Sequence, residues 1–118
     1  MRESGENYLE TIYILSQKKL GVHALDVANE LRFSKPSVTR AMGLLKAANL
    51  ITIDDKKHII LTDAGLKKAI EIYQRHQIIT AFWIKLGVSA ETASKDACRM
   101  EHDITDETFL AIKKFVGE

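Results

Sequence analysis

Apolar residues recur at three- and four-residue intervals through most of the chain, interrupted near its middle by two short β-branched runs. The two patterns predict helices and strands respectively. Residues 6–17 place Tyr8, Leu9, Ile12, Tyr13 and Leu15 in a helical pattern that Gly21 ends. The segment "ALDVANELR" (24–32) sets Leu25, Ala28 and Leu31 on one stripe, a short second helix. A third helix starts at "SKPSVTRAMGLLKAANL" (34–50), with Ser34 as N-cap and Pro36 in the first turn, where a missing N–H costs little. Its expected core stripe is Val38, Ala41, Leu45 and Ala48, and Asn49 is its expected terminator. "LITID" and "HIILT" (50–54 and 58–62), joined by "DKK", predict a small hairpin. Thr62 then opens a long helix that runs to Gly87, followed by one helix capped by Ser89 and another capped by Thr105.

This pattern is mostly α. Its order, three helices and then a two-stranded hairpin, is that of a winged helix-turn-helix followed by a helical region. The expected division is residues 1–62 for a winged helix-turn-helix domain and 63–118 for a long connecting helix with a further helical domain. In a winged helix the third helix enters the major groove and the hairpin lies against the backbone. With Val38, Ala41 and Leu45 turned inward, the outer face presents Pro36, Thr39 and Gly43 flanked by Lys35, Arg40 and Lys46, with no acid between Ser34 and Lys46. Ser34, Ser37 and Thr39 suit phosphates or base edges, Arg40 a guanine, and Pro36 a thymine methyl. Lys56, Lys57 and His58 at the hairpin tip suit phosphate, although Asp54 and Asp55 stand beside them. A winged helix that binds only protein is the competing reading of the same elements.

Charge adds an asymmetry to this picture. The 118 residues carry a net +1, yet residues 1–88 hold 13 Lys/Arg against 9 Asp/Glu, and residues 89–118 hold 4 against 7. A mildly basic front and an acidic tail imply different partners for the two parts. Apolar content of 46% and charged content of 28% are those of a globular protein. No apolar run approaches the ~20 residues of a membrane span, and "MRESGENYLE" is too polar for a signal peptide. A cytoplasmic protein is expected, and the single cysteine agrees with a reducing compartment.

That cysteine lies in "CRMEHD", where Cys98, Glu101 and His102 fall at i, i+3 and i+4. Helical spacing would place a thiol, a carboxylate and an imidazole on one face. Asn7 and Glu10 share one side of the first helix, and His76 sits within the long one. An ordinary amphipathic surface explains each of these features singly.

Together, "ENYLETIYIL", "VANELRFSKPSVTRAMGLLKAANLI", "LTDAGLKKA", "RH" and "CRMEH" resemble the diphtheria-toxin-repressor family of metal-dependent transcriptional regulators, over nearly the whole chain. The resemblance implies a homodimer whose winged helices bind double-stranded operator DNA, whose C-terminal helices dimerise, and in which a divalent cation sets the geometry between the two. A repressor of metal-uptake or metal-homeostasis genes is the implied role. The iron-type regulators add an SH3-like domain for which 118 residues leave no room, so the manganese type is closer in size.

Matched by motif, Glu101 and His102 stand where both branches have metal ligands. Cys98 stands at the iron-type cysteine, and Glu10 and His76 at manganese-type ligands. Asn7 falls where the branches have methionine or aspartate, and Thr80 and Ser94 replace ligands of the iron-type ancillary site. The family favours Fe²⁺ or Mn²⁺. A Cys98 thiolate would turn selection from Mn²⁺ towards Fe²⁺, Co²⁺ or Zn²⁺. The last helix sets Phe109, Ile112, Phe115 and Val116 on one side, with Phe82 and Trp83 ending the long helix, and a symmetric dimer is the natural use of that surface. An enzyme is disfavoured: Cys98 and His102 share one helix turn, and neither an oxyanion-hole loop nor a Gly-rich phosphate loop is present. No membrane and no small organic substrate are expected as partners. The remaining alternative is a winged-helix regulator that is metal-independent or senses oxidation through Cys98.

Overall fold

The computed structural model describes residues 3–117, with side chains from residue 5; residues 1, 2 and 118, the outer ends of the two expected domains, lie outside the described residues. Six helices and one hairpin follow in the order α1 (Glu3–Ser16), α2 (Ala24–Leu31), α3 (Lys35–Ala47), β1 (Ile51–Ile53), β2 (Ile59–Leu61), α4 (Asp63–Lys85), α5 (Ala90–Met100) and α6 (Asp106–Val116). The chain forms two compact units, Met1–Ile70 and Glu71–Glu118, so their boundary falls inside α4.

In the first unit, Leu9 and Ile12 of α1, Val27 of α2, Val38 and Met42 of α3, and Ile51 and Ile59 of the hairpin converge on one core. The strands pair antiparallel, Ile51 opposite Leu61 and Ile53 opposite Ile59. Val22 adds a bridge to Ile59, whose amide donates to the Val22 carbonyl at 2.7 Å. Thr62 opens α4 as an N-cap does: its hydroxyl oxygen accepts from the Gly65 amide at 3.1 Å while donating to the Asn49 carbonyl at 2.9 Å. The first turns of α4 therefore belong to the DNA-reading half. Gly65 is needed there, because a Cβ at that position would collide with the Leu50 carbonyl, and Ala69 joins the core one turn on.

Two expected stripes are rotated. In α2, Val27 and Ala28 are buried, whereas Leu25 is 54% exposed. Residues two apart on a helix point to nearly opposite sides, so Val27 and Leu25 cannot both face inward. In α3 the buried set is Val38, Met42 and Leu45. The larger Met42 displaces Ala41 as the anchor, and Ala48 is an exposed C-cap because the helix stops at Ala47. Asn49 follows with φ 64°, turning the chain into the hairpin.

The second unit buries Ile72 and Ile79 of α4, Ala93 and Ala97 of α5, and Ile112 of α6. Ser89 caps α5 by accepting from the Thr92 amide at 3.3 Å, and Thr105 caps α6 by accepting from the Thr108 amide at 3.2 Å. Phe82 meets the Phe115 ring edge-on at a centroid distance of 5.5 Å. Of the α6 stripe only Ile112 is buried, while Phe115 and Leu110 remain 48% and 60% exposed. Among the described residues no helix is long and apolar enough to cross a membrane.

Gly65→Ala is expected to destabilise the fold by about 1–3 kcal/mol, the range for overpacking. Gly43→Ala meets nothing within 4 Å and is expected to gain up to ~1 kcal/mol from helix propensity. Urea unfolding of the two variants measures both, and equal stabilities would refute the packing assigned to Gly65.

Candidate metal centre and DNA-reading face

His76 projects from α4 in the second unit, and its Nδ1 lies 2.8 Å from Glu101 Oε2. The Glu101 side chain has no solvent exposure. His102 is nearly as enclosed, with Nε2 3.2 Å from Glu101 Oε1. The other edge of the His76 ring, Nε2, lies 3.2 Å from Ser94 Oγ on α5. Thr80, one turn further along α4, donates to the His76 carbonyl at 2.7 Å.

Arg75 holds the end of this arrangement. Its Nη1 donates to the carbonyls of Glu101 (3.1 Å) and Ile104 (3.4 Å), and Nη2 reaches Asp106 Oδ1 at 2.7 Å. The guanidinium also stands 4.7 Å over the Phe109 ring. It thereby satisfies carbonyls left over where α5 ends and ties them to the first turn of α6.

Helix α5 ends at Met100, and Glu101, its C-cap, keeps αR dihedrals with its amide donating to the Ala97 carbonyl at 2.9 Å. Cys98 is exposed, whereas Glu101 is buried. The structure therefore joins His76, Glu101 and His102 in the second unit and leaves Cys98 at the surface. In the first unit, α1 carries Glu10, which is buried, and Asn7, which is half-buried one turn earlier. Imidazole nitrogen and carboxylate oxygen, enclosed together, are a donor set that suits a divalent first-row cation.

The residues expected to read DNA are all exposed: Ser34 at the N-cap of α3, Lys35, Pro36, Ser37, Thr39, Arg40 and Lys46 on α3, and Lys56 and Lys57 at the hairpin tip. Ser34 spends its hydroxyl on the helix start. It accepts from the Ser37 amide at 3.3 Å and donates to Ser37 Oγ at 2.8 Å. The first turn of α3 holds no acid, which leaves its positive dipole end open to a phosphate.

Asp54 subtracts less from the wing than its charge suggests. Its carboxylate accepts from the amides of Lys56 (2.9 Å) and His58 (2.8 Å) and faces His58 Nδ1 at 3.2 Å. The His58 amide is the main cause holding the Asp54 carboxyl below its ordinary value, with smaller help from Lys56 and the His58 ring. Asp54 thus builds the turn that raises Lys56 and Lys57.

The motif readings missed the parts played by Ser94, Arg75 and Asp54. The "RH" pair and the D-x-x-x-H spacing of Asp54 and His58 were the signals available for the last two. Ser94 carried none toward His76, eighteen residues away along the chain.

A winged-helix unit with an acid-free recognition helix, followed by a helical unit enclosing an imidazole–carboxylate pair, defines a metal-responsive DNA-binding regulator. Two family models match the chain: the iron-dependent repressor N-terminal DNA-binding domain over residues 1–59, and the iron-dependent repressor metal-binding and dimerisation domain over residues 62–118. The chain belongs to the iron-dependent repressor family, and it is a transcriptional regulator rather than an enzyme.

It is 36% identical over 114 residues to the transcriptional regulator MntR of Escherichia coli O6:H1, covering 97% of this chain and 74% of that protein. The manganese regulator SloR superposes with a TM-score of 0.84 at 26% identity over 95% of this chain. ScaR with bound Zn²⁺ superposes with a TM-score of 0.81 at 29% identity, also over 95% of this chain. The chain spans about half the length of these two solved structures, 53% of each.

Arg75→Ala strips the donor from two carbonyls and is expected to lower stability by about 1–3 kcal/mol. Arg75→Lys, which lacks the planar fork, should recover only part. Thermal and urea unfolding measure both, and an unchanged Arg75→Ala protein would refute this anchoring role.

Proposed function

We propose that the chain is a cytoplasmic, metal-dependent repressor that binds operator DNA as a homodimer. A divalent cation fixes the dimer geometry for operator binding, and by motif position Asn7, Glu10, His76, Glu101 and His102 are its candidate ligands. The observation that carries this reading is the enclosed His76–Glu101 pair, 2.8 Å apart, in the half of the chain that matches a metal-binding domain. Glu10 enters through its motif position and the burial of its carboxylate. A cation shifts the balance between conformations only by binding one of them better. The favoured state is the one in which both α3 helices meet successive major grooves, ~34 Å apart.

Within each site, Arg40, Thr39, Ser37 and Pro36 read base edges. Lys35, Lys46, Lys56 and Lys57 take phosphates, and Ser34 holds the helix start against them. The apolar groove of about 360 Å³ between Phe82, Ala111, Ile112 and Phe115 supports a dimer contact in the second unit. Carboxylate and imidazole donors favour Mn²⁺ or Fe²⁺, with Zn²⁺ and Co²⁺ able to compete. Cys98 is exposed and stands outside this proposed set. Its exposure also supports a second reading, a regulator switched by oxidation at that thiol.

The test is titration of an operator duplex, obtained by selection from random sequence, with and without Mn²⁺, Fe²⁺, Co²⁺ and Zn²⁺ under reducing conditions. Metal is expected to tighten binding by at least about fivefold, the low end of allosteric coupling. Glu101→Ala should abolish the metal response and keep salt-dependent binding. Affinity blind to every metal would sink the switch, and peroxide sensitivity lost in Cys98→Ser would favour the second reading. Cobalt loading should give visible bands without a thiolate-to-cobalt charge-transfer band, whose appearance would put Cys98 in the site.

Arg40→Ala should relax base preference at one operator position. Lys57→Ala should weaken all sequences alike and reduce the salt slope by about 1. Identical behaviour of the two variants would refute their separate roles.

A further inference from the structure

Two contacts lie on opposite edges of the His76 ring, and only one of them is to a residue that resembles a ligand. Nδ1 faces the buried Glu101 carboxylate at 2.8 Å, and Nε2 faces the Ser94 hydroxyl at 3.2 Å. Ser94 and Glu101 stand seven residues apart on α5 and its C-cap. Two turns of helix bring such positions to one side, so the pair brackets the ring. By its motif position Ser94 reads as a lapsed ligand of a second metal site. The hydrogen bond assigns it another task.

We propose that Ser94 is a positioning residue for the metal site, whose hydroxyl fixes the His76 ring and reverses its hydrogen bond so that Nδ1 can serve as the metal-binding nitrogen. The inference rests on the metal-site reading above and adds to it a residue that touches no cation. A neutral imidazole carries one N–H. With that proton on Nδ1, the ring donates to Glu101, and Nε2 is an acceptor that the Ser94 hydroxyl fills by donating. With a cation on Nδ1 the single proton sits on Nε2, and the same hydroxyl oxygen accepts from it. The ring gains and loses no net proton, because exchange with water carries it from one nitrogen to the other.

A hydroxyl is both donor and acceptor and turns about its C–O bond to suit. An ammonium could only donate and a carboxylate only accept, so either would favour one state of the ring. Alanine would leave Nε2 without this partner in both states. The Thr80 bond to the His76 carbonyl holds the helix backbone under the ring, so the freedom removed by Ser94 is rotation of the side chain. Outer partners of this kind orient a metal-bound histidine by taking its second N–H.

The experiment uses the full chain labelled with ¹⁵N-histidine, as wild type, Ser94→Ala, Ser94→Thr and Glu101→Ala, with Zn²⁺ as a diamagnetic probe. Long-range ¹H–¹⁵N spectra should show the His76 proton on Nδ1 without metal and on Nε2 with it. Ser94→Ala should mix the two tautomers in the metal-free protein and weaken Zn²⁺ binding by about 10–100-fold. Ser94→Thr, which keeps the hydroxyl, should restore both.

Wild-type nitrogen shifts and affinity in Ser94→Ala overturn the role of Ser94, while loss of binding in Glu101→Ala leaves the metal site standing. Zinc affinity unaffected by Glu101→Ala overturns the site itself. A weakened Ser94→Ala protein that Ser94→Thr fails to rescue, with wild-type shifts when metal-free, marks a packing effect and also overturns the proposal.

Discussion

A carboxylate without solvent contact at the end of a helix is the constraint on which the second unit depends. Glu101 caps α5 at its C-terminus, the end where aligned peptide dipoles leave partial negative charge. Its side chain has no exposure to offset that repulsion. Ionised groups taken out of water require opposite charge and hydrogen bonds. The imidazole of His76 faces Oε2 at 2.8 Å, His102 Nε2 stands 3.2 Å from Oε1 without hydrogen-bond geometry, and Arg75 draws off the charge of the neighbouring carbonyls.

The path from that centre to the DNA-reading face is a single covalent element. Helix α4 begins among the residues that build the wing, with Thr62 bonded to Asn49 and Gly65 closed against Leu50. Some ten residues later the same helix presents Arg75 and His76. This helix of 23 residues thus contributes residues to both compact units. The division into compact units inside α4, not at its start, follows from this. Small residues at Gly65 and Ala69 let its first turns join the core of the first unit.

What could be read from the residues alone was what neighbouring residues decide. Ser34, Ser89 and Thr105 marked helix starts correctly because a cap is a bond across three residues. The hairpin was legible for the same reason. Burial within short helices was less so. Eight residues of α2 contain both Leu25 and Val27, and only the tertiary core decides which is enclosed. Glu101, His76 and Glu10 were named through motif resemblance, but the pairing of His76 with Glu101 spans 25 residues and no periodicity encodes it. Cys98 and Glu101 lie three residues apart on α5 and its C-cap, yet Glu101 is buried and Cys98 exposed, a difference that packing decides and spacing does not. Ser94 was seen only as an absence, since a hydroxyl carries no signature of the imidazole it meets.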